Sequence, residues 1–315
     1  MVFPATVLHT QIEALLGQLP AVRDADVDGV HAARVATRRL REALPLFTRS
    51  HPDEVERVRR LVKRAGRRLG RVRELDVMDA DLARRAGRMP MALPAIGAAR
   101  KGLARRQSKA RRRMIRMLDD LRLERREPLQ LRRRNVLSRT FGGATARGWA
   151  EVLRTRIAKR ADDLSRAVDH VGGVYFPNRL HAVRVAVKKL RYSAELAGAG
   201  GLWPCEDVLS DLKRTQETLG HLHDAEVLRR SIDSLIDDVD VDHRELAMIK
   251  DDLQGEIAER HAKYVAQRER LRGACHACAR AAATLEVKRR PFVPLVALSA
   301  FAVPAGLLLL GSRDR

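Results

Sequence analysis

The stretch His31-Ala-Ala-Arg-Val-Ala-Thr-Arg-Arg-Leu-Arg41 returns 150 residues later as His181-Ala-Val-Arg-Val-Ala-Val-Lys-Lys-Leu-Arg191. Seven of the eleven positions are identical, and two more exchange arginine for lysine. The same offset persists downstream, where Leu69-Gly70 corresponds to Leu219-Gly220. Because chance similarity would not keep one register over such a distance, the sequence predicts two copies of one helical unit.

The charged residues of each copy share one helical face. In the first copy they fall within an arc of about 80° at about 100° per residue, and they are His31, Arg34, Arg38 and Arg41. The second copy repeats this stripe with His181, Arg184, Lys188 and Arg191. A third stripe, between the copies, comprises Arg60, Lys63, Arg64, Arg67 and Arg71. Like charges at this spacing destabilise a helix by about 0.2–0.5 kcal/mol per pair, so an anion along the stripes is favoured over a solvated basic face.

Composition points to the same class of partner. The 315 residues include 62 Lys and Arg against 40 Asp and Glu, giving a net charge of +22. This imbalance predicts a polyanionic partner or an anionic surface. Aromatic residues make up only 3% of the chain, which is few for a protein that stacks nucleic-acid bases. Three cysteines and the lack of a signal-peptide pattern at the N-terminus favour the cytoplasm.

Helical periodicity runs through almost every long segment, so an all-α fold is predicted. Helices are expected at about 5–18, 29–47, 53–88, 95–124, 147–170, 178–198, 205–237 and 243–284. Four helices per copy indicate two four-helix bundles related by a pseudo-twofold axis. Residues 1–140 would form the first repeat and residues 141–287 the second. Pro45 falls late in its predicted helix, which is expected to kink or end there.

Two pairs of motifs resemble those of the CHAD family, a histidine-bearing α-helical domain. The first pair comprises the segments 30–41 and 180–192. The second pair is Leu69-Gly-Arg-Val-Arg-Glu-Leu-Asp-Val77 with Leu219-Gly-His-Leu-His-Asp-Ala225. The resemblance spans about residues 1–285. It implies a helical protein of two similar halves that binds inorganic polyphosphate along a basic groove between them. Several members of the family associate with polyphosphate granules, which makes such granules an expected target.

The resemblance also implies which residues bind the polymer. Carried over position by position, they are His31, Arg34, Arg38, Arg41, Lys63, Arg64, His181, Arg184, Lys188, Arg191, Tyr192 and Lys213, to which the third stripe adds Arg67. Arginine suits this role because its planar fork can hold two phosphate oxygens at once, whereas lysine acts as a point charge.

Other functions have weaker support in the sequence. A nucleic-acid-binding protein remains an alternative because of the positive charge, and an enzyme that processes phosphate chains is a further one. The chain has no glycine-rich phosphate loop ending in Lys-Ser or Lys-Thr and no His-Glu-x-x-His motif. Cys275-His-Ala-Cys278 lacks the second ligand pair of a zinc site. We therefore expect no catalytic residues, no cofactor and no metal.

The C-terminal segment does not belong to the repeat. Residues 292–311 form a run of twenty residues without a charge, and Lys288-Arg289-Arg290 precedes it. About twenty apolar residues suffice to cross a hydrocarbon core of about 30 Å. Residues 291–311 are thus a predicted transmembrane segment with the helical body in the cytoplasm. A tail that docks on the body or stays disordered is the alternative.

If residues 291–311 anchor the chain, the full-length protein will stay in the membrane pellet after a high-salt or alkaline wash. A chain truncated after Arg290 will be soluble and will keep its ligand binding. Cell fractionation with immunodetection measures both. Release of the full-length protein by salt would show that the tail is a peripheral segment.

Overall fold

The computed structural model describes residues 5–47, 52–121, 146–236 and 241–284, and within these ranges it contains helices and no β-strand. The all-α prediction is confirmed. The α-helices are α1 (Ala5–Gly17), α2 (Leu19–Arg23), α3 (Val27–Ala43), α4 (Pro52–Ala86), α5 (Leu93–Leu121), α6 (Ala146–Val171), α7 (Pro177–Ala199), α8 (Glu206–Ile236) and α9 (His243–Thr284). All eight predicted helices are present, and within the described ranges the five-residue α2 is the one α-helix that was not predicted.

Both ends of α3 follow from local chemistry. At its start, the Asp26 carboxylate accepts a hydrogen bond of 2.6 Å from the Gly29 amide, which satisfies a donor that the helix leaves unpaired. At its end, the α-helix stops at Ala43 and Leu44–Phe47 continues as a short 3₁₀ segment. Pro45 lies in that segment, so the predicted end of the helix at this proline is confirmed.

The two halves of the chain share their hydrophobic cores. In one core, Leu40 of α3 and Val187 of α7 are both fully buried. In the other, Leu82 of α4 and Ile232 of α8 are fully buried. Each core therefore joins the halves, although the chain order of the long helices repeats, with α1, α3, α4 and α5 followed by α6, α7, α8 and α9. Residues 122–145, which contain the predicted boundary, lie outside the described residues.

Contacts between the halves occur in reciprocal pairs at the offset of 150. Arg85 of α4 is fully buried and forms an ion pair with Asp252 of α9. The equivalent positions, Leu235 of α8 and Gly102 of α5, also lie against each other. The Ala95 amide donates to the Glu245 carboxylate at 2.8 Å, and these two positions are each other's equivalents. A twofold relation between the halves would produce such contacts.

None of the helices that the structure describes is long and apolar enough to cross a membrane. The transmembrane segment predicted at residues 291–311 lies outside the described residues, so it stays a prediction.

Gly102 permits the close approach of α5 to α8, because a Cβ atom there would collide with the carbonyl oxygen of Leu235. We expect Gly102→Ala to lower the free energy of unfolding by about 1–3 kcal/mol, the usual cost of overpacking. Gly97 lies on the same helix with nothing within 4 Å of an added Cβ. As a matched control, Gly97→Ala is expected to stabilise by about 0.5–1 kcal/mol. Urea unfolding measures both, and equal effects of the two changes would refute the close contact.

Candidate anion-binding site

The crossing of α3 and α7 brings the two basic stripes together. Four side chains form what we call the basic cluster, namely Arg34 and Arg38 of α3 with Arg184 and Lys188 of α7. Burial, followed by the charges of Arg38 and Arg184, lowers the pKa of Arg34 to about 10. Burial and Arg38 likewise lower the pKa of Arg184. The positive charges of the two halves are thus close enough to repel one another.

Lys188 experiences this repulsion most clearly. Burial and the charges of Arg184 and Arg38 lower the pKa of Lys188 to about 7, more than three units below its ordinary value of about 10.4. Arg34 contributes in the same direction. Removal from water is the larger cause, and the neighbouring positive charges add to it.

Neighbouring helices supply few partners for these cations. Nη1 of Arg34 donates to the carbonyl oxygen of Gly70 on α4 at 3.4 Å. Nε of Arg184 is buried and has no hydrogen-bond partner among the described residues. The carboxylate of Asp224 on α8 acts on both halves, and burial raises its pKa although Arg184 acts in the opposite direction. A buried donor without an acceptor is costly, so an anion that accepted from Arg184 would lower the energy of the cluster.

The motif histidines lie at the two edges of the cluster. Burial, then Arg73 of α4, lowers the pKa of His31. Burial, then Arg184, lowers the pKa of His181, and its ring centroid lies 5.0 Å from that of His223 on α8. Burial and Arg184 lower the pKa of His223 to about 4. Arg73 and His223 are themselves equivalent positions, so each motif histidine faces the same place on the following helix.

Three of the sequence-predicted residues lie in a separate cavity. Arg191, Tyr192 and Lys213 line it together with side chains of α1 and α3. Arg191 is already engaged, because it forms an ion pair with Glu195 and its Nε donates to Gln216 at 2.9 Å. Its guanidinium also lies 4.4 Å from the centroid of the Tyr192 ring. None of the three therefore belongs to the basic cluster itself, although Tyr192 lies close enough to Arg184 to act on it electrostatically.

The remaining predicted residues are solvent-exposed. Arg64 of α4 forms an ion pair with Asp120 of α5 at 3.2 Å. Arg41 of α3 and Lys63 and Arg67 of α4 are exposed. They can act as an outer, hydrated zone of positive charge rather than as part of the crowded centre.

Sequence reasoning did not select Arg73, His223 and Asp224 as site residues. The repeat could have identified them, because Arg73 and His223 occupy equivalent positions 150 residues apart, as do Glu74 and Asp224. These residues lie on α4 and α8, whereas the basic motifs lie on α3 and α7. Only the packing of α4 and α8 beside α3 and α7 shows that they reach the cluster.

The described residues contain no group of three or more His, Cys, Asp or Glu side chains that could hold a metal ion. Cys275 and Cys278 are buried and free, and burial raises the pKa of each thiol to about 12. Metal ligation requires the thiolate, which is disfavoured here.

Comparisons with known proteins agree with this architecture. The crystal structure of the CHAD domain from the plant Ricinus communis superposes with a TM-score of 0.57 at 23% sequence identity, covering 86% of this chain and 89% of that one. PptA from Streptomyces chartreusis gives 0.53 at 17% identity, covering 88% and 97%. At these identities the similarity shows the fold. No curated protein sequence matches. The family model described as the CHAD domain matches residues 6–233, well over half of the chain, and the protein therefore belongs to the CHAD domain family.

Proposed function

We propose that this protein binds inorganic polyphosphate at the basic cluster and does not process it. The main support is that Arg34 and Arg38 of α3 meet Arg184 and Lys188 of α7. Burial and mutual repulsion there lower the pKa of Lys188 to about 7. A linear chain with about one negative charge per phosphate would relieve this repulsion, and release of condensed ions would drive its binding.

The aromatic residues favour polyphosphate over single-stranded nucleic acid. Proteins that bind single strands commonly stack the bases on accessible aromatic rings. Here Trp149, Tyr192 and Tyr264 are 5%, 6% and 0% exposed, so their rings are packed in the interior. Phe176 is 42% exposed, but the Arg179 guanidinium lies 4.3 Å from its ring centroid, and one such ring is not a stacking platform. A polymer without bases needs only charged donors, which the cluster supplies.

The proposed setting is the cytoplasm, where polyphosphate granules would be a partner. The resemblance of the motifs to those of granule-associated relatives and the cysteine content support this setting. A membrane anchor at residues 291–311 would hold the basic cluster near the bilayer, where anionic lipid could compete for the same cations.

Removing one arginine from each half should weaken polyphosphate binding more than either single change. Each charge-assisted hydrogen bond contributes about 1.5–3 kcal/mol, so Arg34→Gln with Arg184→Gln is expected to lower affinity by about a hundredfold or more. The same double variant should be no less stable than the wild type, because it removes repulsion. Isothermal titration calorimetry and thermal unfolding give the two readouts.

A matched control is Arg270→Gln with Arg280→Gln, which removes two exposed charges on α9, away from the cluster. It should leave affinity within about twofold and the salt dependence nearly unchanged. Equal losses in both double variants would mean that net charge alone drives binding. Competition with duplex DNA at two salt concentrations tests the nucleic-acid alternative, and release of phosphate from labelled polyphosphate tests turnover.

Polyphosphate binding should weaken as the pH rises above about 7. In the free protein Lys188 has a pKa of about 7, and a bound phosphate would raise it towards the ordinary value of about 10.4. Binding in this range therefore takes up a proton, and affinity falls with rising pH. Lys188→Arg should flatten the profile between about pH 7 and 9, because arginine stays charged.

Calorimetry in two buffers of different ionisation heat measures the proton uptake directly. Lys189→Arg is the matched control, because Lys189 is exposed on the same helix. The pKa values of His31, His181 and His223 are all lowered in the free protein. Lys188→Arg leaves these rings unchanged, so the loss of slope relative to the wild type measures the lysine alone. An unchanged slope in Lys188→Arg would exclude Lys188 as the titrating group.

A further inference from the structure

The cavity that contains Arg191, Tyr192 and Lys213 differs in chemistry from the basic cluster. It lies between α1, α3, α7 and α8, opens to solvent and has a volume of about 80 Å³. This is about half of the roughly 150 Å³ cavity that encloses benzene, so it can receive one small group of a ligand whose remainder lies at its mouth. Its walls come from both halves of the chain. None of the four residues of the basic cluster lines it.

One wall of the cavity is apolar. It is formed by Val7 of α1, by Leu196 and Ala199 of α7, and by the largely buried Tyr192. A polyphosphate chain has no apolar surface to place against such a wall. An occupant with a hydrocarbon ring or chain would gain from the water released there.

The charges on the other wall nearly balance. Arg39, Arg191 and Lys213 face the carboxylates of Glu42 and Glu195, which leaves one net positive charge. The two carboxylates would repel a polyanion. A net charge of about one positive unit at the cavity suits a ligand that carries a single negative group.

Existing contacts show which cation is available. Arg191 is held by Glu195. Glu42 is engaged by two arginines of α6, Arg156 at 2.9 Å and Arg160 at 2.5 Å. Arg39 forms no ion pair or hydrogen bond with the described residues, although it is half-buried at the cavity. Its guanidinium can hold a carboxylate, sulfonate or phosphate group.

A second polar group faces the same space. Gln11 of α1 lines the cavity, and its side chain makes no hydrogen bond to the described residues. A ligand that carries a hydroxyl, amide or carbonyl group could form a hydrogen bond with this amide.

We propose that this cavity binds a small organic monoanion, with its apolar body against Tyr192 and Leu196 and its charged group on Arg39. The site is independent of the polyphosphate site, because it uses none of the four residues of the basic cluster. Gln11 would orient the ligand by a hydrogen bond. The protein would then carry two anion sites of different selectivity, one for a polymer and one for a small amphipathic molecule.

Anilinonaphthalene sulfonate is a suitable probe, because it combines aromatic rings with one sulfonate and fluoresces when its rings leave water. With the full-length protein we expect one saturable site per chain. Arg39→Gln should weaken dye binding about tenfold, the loss of about 1.4 kcal/mol. Lys189→Gln is the matched control, because Lys189 is the equivalent position in the other half, is exposed and lies outside the cavity. It should leave dye binding unchanged.

Two further measurements decide whether the dye occupies this cavity. Ala199→Phe adds a ring to the apolar wall without changing charge and should abolish the saturable signal, with circular dichroism as the check of folding. Saturating polyphosphate should leave the dye bound. Displacement of the dye by polyphosphate would show that the cavity belongs to the polyanion groove and would overturn the proposal. Equal dye affinities in Arg39→Gln and Lys189→Gln would overturn it as well, even if Ala199→Phe failed to fold.

Discussion

Four cations repel one another at the crossing of α3 and α7, and the packing around them has to hold them together. Arg34 and Arg184 occupy equivalent positions in the two halves, and each lies within the field of the basic groups around it. Charges of one sign gathered away from water raise the energy of the free protein. The packing of the two halves must offset that cost, and a bound polyanion would remove it.

The shared cores provide the offsetting stability. Because each core draws side chains from both halves, the halves cannot separate to relieve the repulsion without exposing apolar surface. Arg85 adds a specific link, since its fully buried guanidinium contacts Asp81 of its own helix and both Asp252 and Glu256 of α9. Removing one partner of such a network leaves a buried charge uncompensated, which is strongly destabilising. At the equivalent positions, Gly102 lets the backbone of α5 approach that of α8 at Leu235.

Carboxylates decide how the basic cluster and the cavity lined by Arg39 and Arg191 differ. In the basic cluster, Asp224 is the acid that acts on both Arg34 and Arg184. In the cavity next to it, Glu42 and Glu195 offset most of the positive charge and hold arginines in place. The arginine residues on α3 and α7 thus serve different purposes. Arg34 lies at the cluster, whereas Arg191, on the same predicted stripe as Arg184, is committed to an intramolecular pair. The electrostatic difference between the two places arises from the placement of acids rather than from the number of bases.

The sequence by itself determined the helical class, the order and approximate limits of the eight long helices, the end of α3 near Pro45 and the two basic stripes. These follow from short-range rules of periodicity, proline geometry and charge spacing, which act within one helix. The site required more, because a helical stripe fixes only a direction around its own axis. Arg184 and Arg191 point in a similar direction from α7. Arg191 nevertheless forms an ion pair with Glu195 and a hydrogen bond with Gln216. Arg184 instead experiences the charge of Asp224 on α8. Tertiary packing alone decided which cations meet, which carboxylates reach them and where a cavity remains, since these depend on how separate helices cross.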